Sequence, residues 1–327
     1  MDWTRQEVVI TGGAGFIGSQ LMDYLIRERD ARRITIIDNL SRGNLGNILD
    51  GTVVGRAKLR QDNLEYTIPA LPANAIVFHL AAKVTGIEYN RKHQWDMLQA
   101  NARINLNVAE AVIRQKPKLF VLVSTACVYP HDAPVPTPEC FGEICNPEPT
   151  NKGYGIAKWM GEQMARFIYQ EEGIPTLVVR FFNAIGVRDY YDEETSHVTP
   201  AIIRRVMEGD DPVKVWGTGK QSRVFVDAAD IAKALTLLAE CPDAHNAEPV
   251  NIGHDREITI ADLARKIIEY SGKTPELAFD LSKPDGYPRR AASTHRLKAL
   301  IGWVPDTWLD STISEMMEEW CEGSANL

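Results

Sequence analysis

The run Thr11-Gly12-Gly13-Ala14-Gly15-Phe16-Ile17-Gly18 constrains this chain more than any other stretch. It stands between an apolar segment, Val8-Val9-Ile10-Thr11, and a segment whose apolar residues Phe16, Ile17, Leu21, Leu25 and Ile26 recur at helical spacing. A strand, a glycine-rich turn and a helix in that order bring backbone close to an anion. The helix start then offers free N–H groups and the positive end of a dipole. A second apolar run, Ile34-Thr35-Ile36-Ile37, ends at Asp38, twenty residues after Gly18, where a carboxylate can accept from the hydroxyls of an adenosine ribose. An ordinary glycine loop lacks this context. The pattern predicts a dinucleotide site built from Gly12, Gly15, Phe16, Ile17, Gly18 and Asp38. The charge of Asp38 repels a 2′-phosphate and favours NAD over NADP, and Arg42 nearby tempers that preference. Asp62 is expected either at the adenine edge or as a solvated turn acid.

The rest of the first half alternates apolar strands with helical stretches. Ile76-Val77-Phe78-His79-Leu80, Leu119–Ser124 and Thr176–Arg180 read as strands; 94–115 and 153–171 read as helices. Runs apolar throughout, separated by amphipathic helices, predict a Rossmann-type doubly wound parallel α/β sheet covered on both faces. A proline-rich stretch, 130–149, reads as an irregular loop. Beyond Asn183 short strands (213–216, 249–252) mix with helices near 200–208, 227–239 and 260–271. The expected division is a dinucleotide-binding domain over 1–182 and a smaller mixed α/β substrate lobe over 183–327, with segments crossing back to the sheet. A length of 327 residues fits two such units. The balance of 36 basic to 44 acidic residues argues against a nucleic-acid partner or a polybasic membrane surface. Five cysteines without C-x-x-C spacing argue for reduced thiols in the cytoplasm and against a zinc site or other metal centre. Neither a signal peptide nor a membrane span is expected.

Tyr154 and Lys158 stand four residues apart, on one face of a helix. The lysine ammonium, with the positive ring of an oxidised nicotinamide, is expected to lower the tyrosine pKa. The phenolate could then take a proton from a sugar hydroxyl, and Lys158 would also hold the nicotinamide ribose. Such a pair alone is common on exposed helices. Here it follows a glycine loop and a strand ending in Ser124-Thr125.

With these motifs the chain, from Val8 to about Trp303, resembles the extended short-chain dehydrogenase/reductases of the nucleotide-sugar epimerase/dehydratase group. The resemblance implies a Ser/Thr–Tyr–Lys triad completed by Thr125, where the family usually has serine. Four segments are similar to GDP-mannose 3,5-epimerases and GDP-fucose synthases: 124–130 (STACVYP), 81–87 (AAKVTGI), 196–205 (SHVTPAIIRR) and 283–290 (KPDGYPRR). By that likeness Cys127 and His197 would move protons at carbons beside a transient 4-ketone, whose neighbouring C–H bonds are acidified. The residue types suit such proton transfer, since a thiolate is a competent base and a histidine titrates near neutrality. The plainer alternatives are a buried small thiol and a helix-start histidine. The resemblance also implies that Asn39, Leu80, Ala81, Ala82 and Asn101 line the cofactor. Lys83, Gly86, Asn183, Trp216, Arg223 and Arg290 would contact substrate, the two arginines clamping a diphosphate.

The expected activity is an NAD-dependent nucleotide-sugar epimerase, of the GDP-hexose 3,5-epimerase type. Alternatives are a GDP-fucose-synthase-like epimerase/reductase, a 4-epimerase that needs only Tyr154, a 4,6-dehydratase, and a non-catalytic NAD sensor. A dehydratase usually carries Asp-Glu where Ala126-Cys127 stand, and a sensor would typically lose the Tyr/Lys pair. A homodimer is expected through the helices 94–115 and 153–171, with Leu98, Ile104, Val108, Trp159, Met160 and Phe167 supplying apolar surface.

Overall fold

The computed structural model describes residues 1–192, 195–283 and 285–323. Seven strands form one sheet: β1 (Glu7–Thr11), β2 (Arg33–Asp38), β3 (Ala57–Gln61), β4 (Ile76–His79), β5 (Leu119–Thr125), β6 (Thr176–Phe181) and β7 (Asn246–Ile252). They lie in the order β7-β6-β5-β4-β1-β2-β3, and every adjacent pair is parallel. Alternate residues of one strand serve opposite faces, so both faces need apolar cover. Val8 and Ile10 point to one side, with Leu21 and Leu25 of helix Phe16–Arg29 and Ile231 and Leu235 of helix Ala228–Glu240. Val9 points to the other, with Ile104 and Val108 of helix Gln94–Gln115 and Ala165 and Ile168 of helix Lys152–Glu172. Chain order reverses between β1 and β4. There the loops diverge and open a crevice at the carboxyl ends of the strands.

A second core gathers Ile202, Ile203 and Val206 of helix Val198–Glu208, Val213 and Val215, Leu263 and Ile267 of helix Ile260–Ser271, and Ile313 and Met316 of helix Leu309–Cys321. Its strand Val213–Trp216 pairs in parallel with Leu277–Asp280.

Two features differ from the sequence reading. β3 escapes it: as the edge strand it carries exposed Lys58 and Gln61, so it shows no apolar run. The expected homodimer surface also changes. Ile104 and Val108 are 9% and 0% exposed, packed under the sheet, and cannot meet a partner. Phe167 is 57% exposed, and Trp95 and Leu106 stand open on the neighbouring helix. All five cysteines are free. No described helix is long and apolar enough to cross a membrane.

Candidate active site

The glycine loop opens the crevice. Gly12 has φ +71°, and a Cβ there would lie 2.8 Å from the Ala81 nitrogen in the loop after β4. That loop is drawn in by Leu80 N–H donating to Thr11 O (3.1 Å) and Ala81 N–H to Thr11 Oγ1 (3.2 Å). Phe16 and Ile17 begin the first helix behind Gly15, which gives it no side-chain cap. Its leading N–H groups therefore face the crevice. At the tip of β2 the Asp38 carboxylate accepts from Ala14 N–H (3.0 Å) and Leu40 N–H (2.9 Å). Burial pushes its pKa up, against those hydrogen bonds. Each oxygen keeps a lone pair for a ribose hydroxyl. A cradle that a Cβ would fill, an uncapped helix start and a carboxylate at the next strand end fit NAD.

Other expected contacts are placed as follows. Asn39 accepts from Ser41 N–H (2.9 Å), turning the chain after β2. Asp62 hangs beside β2 through its N–H to Asp38 O (3.0 Å), with its carboxylate held by Thr67 Oγ1 (2.6 Å). Arg42 reaches the loop after β4 and the turn at Tyr190. Its guanidinium donates to Val84 O (2.5 Å) and stacks 4.3 Å from the Tyr190 ring. Asn101 is engaged with backbone: it accepts from Lys83 N–H and donates to the carbonyls of Lys83 and Met97. It thus shapes the loop carrying Ala81, Ala82 and Lys83. The Lys83 ammonium pairs with Asp96 at 2.5 Å, and Gly86 caps the short helix Ile87–Lys92.

Around the end of β5 the chain brings Thr125, Cys127, Tyr154 and Lys158 together. Ser124 is not free for chemistry, because its hydroxyl donates to buried Glu162 (2.5 Å). Thr125 Oγ1 instead accepts from Cys127 N–H (3.3 Å). Lys158 lies one helical turn beyond Tyr154, its nitrogen 5.9 Å from the phenol ring and donating to Val123 O (2.9 Å). Burial brings Lys158 down to about 8, although Glu162 and Cys127 pull the other way. The expected depression of Tyr154 is not produced by the chain's own groups. Burial, with Cys127 adding to it, raises the phenol pKa instead. Desolvation disfavours the phenolate, and the Lys158 ammonium nearby is itself stripped of water.

Farther along the chain, Arg223 and Arg290 stand in register on paired short strands. Arg290 approaches the Cys127 sulfur to 3.8 Å, pairs with Glu148 at 3.3 Å and stacks 4.2 Å from the Tyr287 ring. Arg223 donates to the carbonyls of Ser222 and Tyr287, both at 2.7 Å, and burial with Arg290 beside it lowers its pKa to about 10. Asn183 has φ +31° and donates to Val224 O (2.8 Å). Trp216 lies under the Lys283 ammonium at 4.9 Å; Pro284 of the same segment lies outside the described residues. His197 stands at the start of helix Val198–Glu208, its Nδ1 3.4 Å from Asp189.

Sequence reasoning missed the supports. Buried Arg180 grips Glu162 (2.6 Å) and reaches the Tyr129 hydroxyl (3.1 Å), which donates to Asn251 of β7 (2.6 Å). Breaking such a buried pair costs roughly 3–5 kcal/mol. His79 bridges Thr11 (2.7 Å) and Asn105 (3.2 Å), held neutral with its pKa pushed to about 3 by burial and by Lys158. Their partners are remote in sequence; only the odd polar residue ending an apolar strand marks His79 and Arg180.

The sheet order, glycine cradle and Tyr/Lys helix define an extended short-chain dehydrogenase/reductase. Comparison with known proteins narrows this. Residues 8–253 match the family described as NAD dependent epimerase/dehydratase. GDP-L-fucose synthase 1 of Arabidopsis thaliana is 34% identical over 250 residues, 75% of this chain and 76% of the relative. Probable GDP-L-fucose synthase 1 of Oryza sativa subsp. japonica is 31% identical over 325 residues, 97% of this chain and 92% of the relative. Among solved structures, UDP-glucose 4-epimerase of Thermotoga maritima aligns with a TM-score of 0.84 at 26% identity, covering 97% of this chain and 99% of the other. The chain belongs to the NAD-dependent epimerase/dehydratase family, and is an NAD-dependent enzyme acting on nucleotide sugars.

Proposed function

We propose that the enzyme epimerises a GDP-linked hexose next to C4, through a transient 4-ketone. The observation that carries this is the position of Cys127, with its amide on Thr125 Oγ1 and its sulfur beside Arg290, electrostatically in touch with both Tyr154 and Lys158. A 4-epimerase acting only at C4 has no need of a thiol there.

Bound NAD supplies reversible uptake of a hydride from a sugar carbon. Gly12, Gly15, Phe16, Ile17, Gly18 and Asp38 hold it, with Asn39, Asp62 and the Leu80–Ala82 loop alongside. Tyr154, deprotonated when the positive nicotinamide ring joins Lys158 beside it, would take the proton of the C4 hydroxyl at its phenolate oxygen, with Thr125 orienting that hydroxyl. Lys158 holds positive charge beneath the phenol and orients the nicotinamide ribose. With a ketone at C4, a C–H beside it becomes acidic; Cys127 Sγ takes that proton and His197 returns one to the opposite face. Arg223 and Arg290 bind the diphosphate, the guanidinium fork matching paired phosphate oxygens. Asn183, Lys83, Gly86 and Trp216 line the sugar and nucleotide.

A second reading is net reduction by an epimerase/reductase, supported by the two plant relatives named GDP-L-fucose synthase. The test is incubation of the purified enzyme with GDP-, UDP- and dTDP-hexoses in deuterated water. Label at C3 or C5 of a GDP-sugar with no net cofactor consumption supports epimerisation. Given a GDP-4-ketohexose and reduced cofactor, label accompanied by stoichiometric cofactor oxidation supports the reductase. Inversion at C4 without solvent label refutes the thiol role. We further propose a homodimer through the helices bearing Trp95, Leu106 and Phe167; a single species near 36 kDa in sedimentation would reject it.

A further inference from the structure

Asp189 is 2% exposed. Its carboxylate accepts from Tyr190 N–H at 2.8 Å, and both of its oxygens lie 3.4 Å from His197 Nδ1. A buried carboxylate is costly without a cation or several donors. Its place is fixed by a pinned turn. Asp189 N–H donates to Gly186 O (3.3 Å), and Arg188, at φ +70°, is tied by its own N–H to Glu319 (2.7 Å) and by its guanidinium to Asp23 (2.7 Å). A non-glycine residue held in the left-handed region marks a segment whose surroundings dictate its shape. The turn therefore presents one carboxylate, rigidly, to one imidazole.

We propose that Asp189 is the positioning residue for His197. Deepening the reading above and resting on it, Asp189 accepts from Nδ1–H, fixes the tautomer and leaves Nε2 to carry the proton. In the transfer, the Nε2–H bond breaks as a C–H bond forms on the enolate carbon. The electron pair of that N–H bond stays on Nε2. The neutral ring, its Nδ1–H still on Asp189, regains a proton from water.

The ring sits between opposed charges. Asp189 reaches it from the 186–192 turn, whereas Tyr190 and Asp192 of the same turn lie against Arg42. Arg42 comes from the loop after β2. Arg188 and, from the last helix, Glu319 stand behind Asp189. Desolvation and Arg42 pull the His197 pKa down, and Asp189 outweighs them, so its ordinary value is raised. The raised value keeps the ring charged further toward neutral pH, as a proton donor requires.

The test is a pH titration of the imidazole nitrogens by NMR on ¹⁵N-labelled, NAD-saturated enzyme. The chain has 7 histidines, and the His197 signal is identified by its loss in His197→Asn. Asp189→Asn should move the His197 midpoint downward and slow solvent-deuterium incorporation roughly tenfold or more, with little change in substrate KM. Asp189→Glu, which keeps the charge, should restore the midpoint most of the way. Arg42→Gln should move it upward. Where Asp189→Asn does not fold, Asp189→Glu is read alone: its longer arm should slow deuterium incorporation severalfold while the midpoint stays raised, and unchanged incorporation overturns the proposal. A midpoint unmoved in Asp189→Asn overturns it as well. Full deuterium incorporation in His197→Asn overturns instead the acid role on which it rests, whatever the titration shows.

Discussion

Gly18→Ala tests the cofactor cradle where the structure leaves least room. A Cβ at this position would lie 2.2 Å from Gly12 O and 2.7 Å from Gly13 Cα. Both contacts are with backbone, so no side chain can swing aside, and about 1 Å of separation must open to reach ordinary contact. Helix Phe16–Arg29 cannot easily retreat, since Leu21, Met22 and Leu25 are all 0% exposed in the core. The glycine loop must give instead. Overpacking of this kind costs about 1–3 kcal/mol. Because the displaced atoms belong to the cradle, most of that cost should fall on cofactor binding. At 1.4 kcal/mol per factor of ten, NAD affinity should weaken roughly 5- to 150-fold. Calorimetric titration of NAD into cofactor-free protein measures this, and melting with and without saturating NAD separates binding from folding. A variant that binds NAD as tightly as the parent would refute the claim that Gly18 is required for close approach of helix and loop. Lost NAD affinity with a melting temperature within a few degrees of the parent would support it.

Cys127→Ser should abolish solvent-deuterium incorporation at C3 or C5 yet leave transient nicotinamide reduction visible by near-ultraviolet absorbance; unchanged label uptake would remove Cys127 from the chemistry. Asp38→Ala should raise affinity for NADP relative to NAD, read by competitive titration of the two cofactors. The Lys158 charge is lost as pH rises through about 8, so the hydride step measured by single turnover should decline above that pH. The same depressed value means the unfolded chain binds the extra proton between about 8 and 10.5, so the Lys158 contribution favours the fold increasingly across that window. Glu319 behaves in the opposite way. Burial raises it to about 7 from 4.5, so the folded chain holds the extra proton and stability contributed there is lost as pH climbs from 4.5 through about 7. Glu319→Gln should therefore gain melting temperature at pH 8 relative to pH 5, and an equal change at both would contradict the buried-acid account.

How far the sequence can be read depends on what each segment buries. β1, β2, β4, β5 and β6 are covered on both faces, so their residues are apolar almost without interruption and announce themselves. β3 runs along an edge, and its Lys58 and Arg60 break the pattern. The 249–252 segment is visible as a strand. Its place beside β6, with Val250 opposite Val179 and Asn251 meeting the Tyr129 hydroxyl, rests on partners remote in sequence. The same limit applies at the site. Gly12, Gly18, Tyr154 and Lys158 follow local spacing rules. Asp189, Glu148 and Tyr287 have no such rule, since their relevance lies in what faces them: an imidazole for the first and the Arg290 guanidinium for the other two. The direction of the Tyr154 shift is beyond sequence for a related reason. Spacing reveals that an ammonium is near but not how much water both groups have lost.

Asn246–Ile252 completes the sheet only after the polypeptide has travelled out through Val198–Glu208 and Val213–Trp216 and come home along Ala228–Glu240. The enzyme is therefore stitched rather than strung. An engineered cut near residue 183 would strip the first half of its outermost strand and of one of the two helices roofing one face. Exchanging substrate-recognition modules between relatives would succeed only with grafts that carry both crossings.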